Sequence, residues 1–268
     1  MDRVALGIAY DGTAYHGWQR QRGVSTVQAE LEGALSKIAN TQIKVSCAGR
    51  TDTGVHATQQ VVHFDVDVGV VRTSKAWIEG TNALLPDDIA VVWMQPVSSA
   101  FDARHSAIAR RYLYIIYNKR RRSPIASNSY ARYFRDLQPA VMHEAAQALL
   151  GEQDFTSFRS AHCQARTPFR NIHRITVKSQ GSLVFVDIIA NAFLYHMVRN
   201  IIGVLLEVGC GNKPLEWVGQ LLAMKDRSRA GKMAPACGLY LVSVIYPDQY
   251  YLPVEAQLPH LLGLLPIE

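Results

Sequence analysis

A chain of 268 residues with 49% hydrophobic and 19% charged side chains can fill two cores of ordinary size, and this balance excludes a disordered or fibrous chain. No apolar run reaches the roughly 18 residues a membrane helix needs, and Met1-Asp2-Arg3-Val4 opens on an apolar strand without a signal-peptide pattern, so a cytoplasmic protein is expected. The net charge of +6 is uneven: residues 1–102 hold 8 Lys+Arg against 11 Asp+Glu, and residues 103–268 hold 20 against 11. Arginines outnumber lysines 20 to 8, and the flat guanidinium suits bidentate phosphate contacts and stacking on bases. A polyanion is the expected partner of the second half. Cys47, Cys163, Cys210 and Cys237 form no C-x-x-C pair, so neither a zinc site nor a disulfide framework is indicated and the cysteines read as reduced core thiols.

Asp2 to Tyr10 alternates as a strand, and Asp11 to Gly23 follows as a glycine-punctuated loop carrying aromatics and two arginines. Ser25 and Gln28 have capping-box spacing ahead of the apolar stripe Val27, Leu31, Ala34, Leu35 and Ile38, which predicts a helix over 25–39. Strands near 43–47 and 58–66, a helix around 74–84 and a strand at 89–94 complete the order β-α-β-β-α-β. After a connection over 95–108 the order repeats: a strand at 111–117, a helix at 139–150, strands at 173–178 and 183–190, a helix at 192–208 and a strand at 239–246. Pro214 to Met224 adds a helix with proline in its first turn. The expected fold is α+β, two ferredoxin-like halves (residues 1–105 and 106–268) whose antiparallel sheets join and leave a cleft.

The chemistry centres on Ala48-Gly49-Arg50-Thr51-Asp52-Thr53-Gly54-Val55-His56-Ala57, a loop between strands that sets one acid beside one arginine between two glycines. Asp, Thr and Gly are also ordinary turn formers, so the tripeptide alone decides nothing. The run Gly-Arg-Thr-Asp-x-Gly-Val-His-Ala, however, resembles the signature of the tRNA pseudouridine synthase A family. Tyr10-Asp11-Gly12-Thr13-x-Tyr15-x-Gly17-Trp18-Gln19-x-Gln21 resembles that family's opening, and further matching stretches follow in the same order to about Tyr246. Thr53 departs from the family, where alanine is more often expected.

The resemblance implies roles residue by residue. Asp52 stands at the catalytic aspartate, the nucleophile. In Arg110-Arg111-Tyr112-Leu113-Tyr114 the period of two puts Arg110, Tyr112 and Tyr114 on one strand face, suited to holding a base by stacking worth ~1–3 kcal/mol. By resemblance Tyr112 lines the active site, contacts the target base and is the proposed general base. In Phe193-x-x-His196-Met197-Val198-Arg199-Asn200 the family pairs the arginine with the aspartate, which predicts an ion pair between Arg199 and Asp52. An arginine turned inward needs such a partner, since breaking a buried pair costs roughly 3–5 kcal/mol. Leu239 is expected to pack beside the active site. Arg50, Arg20, Arg104, Arg110 and Arg159 are expected to contact substrate, and Lys119-Arg120-Arg121-Arg122, Arg166, Arg170 and Arg174 are candidate phosphate contacts. His56, His63 and His196 lack metal-ligand spacing and read as structural.

Pseudouridine formation breaks the bond from uracil to the sugar, turns the held base and joins its C5 to the sugar. It needs a carboxylate, a cavity that retains the base and an acceptor for the C5 proton, but no external redox or group carrier and no metal, so no cofactor is expected. Whether the carboxylate attacks the sugar, adds to the base or takes a sugar proton stays open from the residues alone. The resemblance implies tRNA as partner, its anticodon stem-loop (tRNA positions 38, 39 and 40) as target, and a homodimer. Two other readings exist. Val61-Val62-His63-Phe64-Asp65-Val66-Asp67 has the D-x-D of a magnesium-dependent aspartyl phosphatase using Asp65 and Asp67, a fold that needs a parallel sheet. The β-α-β-β-α-β order also fits a non-catalytic tandem RNA-binding module, although the aromatic-rich RNP1 pattern is missing.

Overall fold

The computed structural model describes residues 2–67, 69–253 and 256–259. In chain order its main elements are β1 (Asp2–Tyr10), α1 (Val27–Ala39), β2 (Ser46–Cys47), β3 (His56–Val66), a π-helical segment (Ala76–Gly80), β4 (Ile89–Val97), β5 (Ala109–Asn118), β6 (Ala131–Tyr133), α2 (Pro139–Gln147), β7 (Gly151–Asp154), β8 (Phe169–Gln180), β9 (Leu183–Ala190), α3 (Met197–Gly209), α4 (Trp217–Met224) and β10 (Leu239–Ile245). The chain is α+β, with mostly antiparallel pairing. It divides into two compact units, residues 1–108 with 240–268, and residues 109–239. Among the described residues no helix is long and apolar enough to cross a membrane.

In the first unit β1 lies antiparallel between β3 and β4. The far edge of β3 is shared: β10 pairs parallel at His56 and Ala57, and β2 pairs antiparallel at Val62 and His63. Both faces of β3 are covered, so its residues are buried almost without alternation, and this includes the polar His56, Gln59, Gln60 and His63. This antiparallel setting removes the phosphatase reading, and Asp65 is instead held by Arg3 through two bonds of 2.7 and 2.8 Å. The expected capping box does not form. Thr26 is the extended residue before α1 and makes no side-chain cap; Gln28 turns inward to accept from Arg20 N–H at 3.0 Å and to donate to Glu32 at 2.9 Å. The helix expected near 74–84 is interrupted by the π segment.

In the second unit β9 lies antiparallel between β5 and β8, β7 extends β8, and β6 runs parallel to the end of β5. Helix α2 packs on β8 and on α3, where a Cβ on Gly209 would stand 2.5 Å from Met142 Cγ and force that side chain to move. Helix α3 begins at Met197, five residues later than its apolar run predicts. Residues 191–196 give up helical bonds for tertiary ones: Asn191 N–H donates to Asn171 O at 3.1 Å, Tyr195 N–H to Cys163 Sγ at 3.4 Å, and Tyr195 O accepts from Ser160 N–H at 3.3 Å. His196 closes the segment in the left-handed region at φ 61°.

Candidate active site

In the first unit the loop from Ala48 to Val55 is fixed from several sides. Gln60, fully buried on β3, acts as a short piece of backbone: its Oε1 accepts from Gly49 N–H at 3.3 Å and its Nε2 donates to Gly49 O at 2.5 Å. Tyr10 OH meets Thr51 Oγ1 at 2.7 Å, and Trp18 N–H donates to Thr51 O at 3.0 Å. Val55 N–H returns to Asp52 O at 3.1 Å, closing a tight turn whose third residue, Gly54, has φ 75°. Asp52 heads that turn and is half-buried.

The glycine-rich loop after β1 lies directly against this turn. A Cβ on Gly12 would stand 2.1 Å from Val55 O, and one on Gly17 2.8 Å from Thr51 O. Only glycine permits that approach. His56, 3% exposed, bridges the two loops: its Nδ1 accepts from Gly12 N–H at 3.1 Å and lies 3.0 Å from the Asp11 carboxylate, while its ring stacks on Tyr240 at 4.7 Å. Burial works against ionisation of Asp11, yet Thr13 and His56 together hold its carboxyl below the usual range. His63 is likewise structural, accepting from Ala103 N–H at 3.0 Å, and burial lowers its pKa.

Of the expected substrate contacts in this unit, Arg50 and Arg104 are exposed. Both lie near Cys47, whose thiol burial pushes up to about 11 against their opposing pull. Arg20 is bound to the buried Glu32 at 2.8 Å, so part of its charge is already answered within the protein.

In the second unit Tyr112 is 8% exposed and meets Phe193 edge-on at 5.2 Å. Tyr114 donates to Pro235 O at 2.8 Å, and burial moves its phenol far above the usual range, so it is a packing residue. Arg110 donates to Asn191 O at 3.1 Å. Arg199 is half-buried in the first turn of α3, where its Nε donates to Ala234 O at 2.9 Å and its own carbonyl accepts from Ala234 N–H at 3.1 Å. Leu239 is 5% exposed. Arg159 donates to Cys163 O at 2.9 Å. Arg174 is not an unengaged phosphate contact: it and Arg111 both bind Asp187, at 3.0 and 2.8 Å. His196 meets Ser160 Oγ at 3.0 Å. Among the described residues no three His, Cys, Asp or Glu side chains gather as donors for a metal ion.

Sequence reasoning missed Gln60 and Phe193. A glutamine next to the apolar run Val61-Val62 was the signal for the first; the second was hidden because its segment reads as helix.

A family model described as tRNA pseudouridine synthase matches residues 7–106 and 145–247, more than half of the chain. Relatives called tRNA pseudouridine synthase A include one from Shewanella baltica, 59% identical, and one from Shewanella frigidimarina, 57% identical; each alignment covers 94% of this chain and 95% of the relative. Among solved structures, a chain of a Cbf5-Nop10-Gar1 complex aligns with 88% of this chain and 57% of its own at 12% identity and a TM-score of 0.33, too remote to bear on the fold. The chain belongs to the tRNA pseudouridine synthase family.

Proposed function

We propose that this chain carries out its family's reaction, isomerising uridine to pseudouridine in the anticodon stem-loop of tRNA, with Asp52 as the nucleophile. The observation that carries the reading is the Asp52 turn itself. Contacts from Tyr10 to the Thr51 hydroxyl and from Trp18 and Gln60 to the backbone at Thr51 and Gly49 hold the loop, and Asp52 is half-buried. A carboxylate held in this way acts without first paying for its own ordering. The reaction is an isomerisation, so atoms balance without a second substrate: the bond from N1 to the sugar breaks, the uracil turns, C5 bonds the same sugar carbon, the C5 proton leaves and N1 takes up a proton.

Tyr112 is the proposed contact and proton acceptor for the base, kept in place by Phe193 and β9. Arg199 is proposed as the ion-pair partner of Asp52, and Leu239 as an apolar neighbour of the base. Arg50, Arg20, Arg104, Arg110 and Arg159 are proposed to contact the RNA, with affinity that falls as salt rises. Extruding the uridine from its stack costs a few kcal/mol (~2–4), which those contacts offset. A cytoplasmic homodimer acting without a metal completes the proposal.

The test is tritium release from C5-labelled uridine in unmodified tRNA by the native chain, by Asp52→Asn, and by the native chain with a chelator. We expect release by the native chain, unaffected by chelator, and loss of at least about a thousandfold in the variant. Native protein that binds tRNA and releases nothing would replace this reading with that of a binding module.

A further inference from the structure

Arg159 and Arg170 bracket the loop that carries Cys163, and both are half-buried. Arg159 bonds the Cys163 thiol and its Nη2 donates to Cys163 O at 2.9 Å, while Arg170 meets carbonyls, its Nη1 donating to Thr167 O at 3.1 Å and to Phe169 O at 2.5 Å. Such bonds aim a guanidinium without neutralising it. Arg170 Nε is buried with no hydrogen-bond partner among the described residues. Burial lowers the pKa of Arg170, the Cys163 sulfur opposes that shift and Arg159 adds to it. Arg166 adds an exposed cation in the same loop.

The same sheet shows what a structural arginine looks like here, since Arg111 and Arg174 share the Asp187 carboxylate. Two like charges drawn partly out of water, with a buried donor unused, are unfavourable unless an anion joins them. Their position says which anion. Tyr195 donates to Cys163 and accepts from Ser160, and two residues earlier Phe193 stands against Tyr112. Arg110 binds Asn191 O beside them, and both Arg110 and Ile172 pair with Ala190, so Arg110 and Arg170 lie at one end of the sheet.

We propose that Arg159 and Arg170 form a phosphodiester-binding site that holds the RNA backbone beside the nucleotide handled at Tyr112. The inference rests on the synthase reading for its ligand. A phosphate bridging both guanidiniums takes charge-assisted bonds from two planar donors, which a lone carbonyl partner cannot supply.

Binding of an unmodified anticodon stem-loop RNA is measured across a salt series for the native chain, Arg159→Gln, Arg170→Gln and, as a charge control, Lys75→Gln, an exposed residue paired with Glu79. Each arginine variant is expected to raise Kd about tenfold near 0.1 M salt and to flatten the slope of log Kd against log salt by about 0.7 to 0.9. The control changes neither. Because the free pair is repulsive, the melting temperature of Arg170→Gln stays the same or rises. An unchanged slope in both arginine variants overturns the site, and so does a fall in melting temperature with the slope intact, which marks a structural role. Tritium release run beside these measurements separates the two readings. Flattened slopes with no release by the native chain keep the phosphate site and end the synthase reading; release with unchanged slopes does the reverse.

Discussion

At the scale of single residues, the Asp52 turn is braced by a fully buried neighbour. Gln60 supplies both an acceptor and a donor to Gly49, three residues ahead of the aspartate, and it is wholly buried. Gln60→Met keeps the length and apolar bulk but leaves the Gly49 N–H and C=O unpaired, at a cost of about 1–3 kcal/mol. We expect turnover in tritium release to fall at least tenfold, measured where circular dichroism shows the variant fully folded, with tRNA affinity within about twofold of native. Turnover equal to the native chain's under those conditions would show that the turn holds its shape without the clamp. The glycines across the turn make a complementary point. Gly12 and Gly17 read in the sequence as loop punctuation, yet each is required because a carbonyl of the Asp52 loop occupies the space of a Cβ. Punctuation is visible in one sequence; the identity of the approaching backbone is not.

At the scale of elements, the helix starts separate what local rules decide from what tertiary contacts decide. Thr26 sits where a capping residue belongs, but its Oγ1 is buried and makes no hydrogen bond. The capping rule predicts that removing this hydroxyl costs about 1 kcal/mol. Burial predicts the opposite, because an unsatisfied buried hydroxyl is itself a penalty of about 1–3 kcal/mol and valine has nearly the same shape. Thr26→Val is therefore expected to be at least as stable as the native chain in urea unfolding; a loss of about 1 kcal/mol would mean that the hydroxyl caps α1 in solution. Local pattern located β1, β9 and the body of α1 to within two residues, since each has a clear period and a punctuated end. It failed at the start of α3, where residues 191–196 are apolar enough for a helix but spend their polar groups on Asn171, Ser160 and Cys163. It also failed to foresee the bend of Gln28 toward Arg20 and Glu32, because a buried carboxylate twelve residues from its arginine leaves no periodic trace.

At the scale of the whole molecule, what the sequence shows most plainly is where the charge lies. The excess of basic residues falls entirely after residue 102, whereas the Asp52 motif falls before it. The proposed site residues rest on motifs: Asp52, Tyr112 and Arg199 each stand in a run of several residues that resemble the family's. Isolated arginines carry no local pattern, and the structure distinguishes them by partner, giving Arg174 to Asp187 and Arg20 to Glu32. The remaining exposed cations lead to a prediction about distribution. Lys119, Arg120, Arg121 and Arg122 are consecutive and exposed in the second unit, and Lys37, Lys44, Arg72 and Lys75 are exposed in the first. Replacing either set by glutamine lowers the net charge by the same amount, so a purely global attraction would weaken tRNA binding equally. Counterion release depends instead on cations that sit against phosphates, at about 0.7 to 0.9 in the salt slope per contact. The second-unit set is expected to flatten the slope by about 2 to 3, and the first-unit set by less than about 1. Equal slopes for the two sets would return the basic half of this chain to the status of a solvated surface, and would leave the arginines nearest Tyr112 to account for RNA binding.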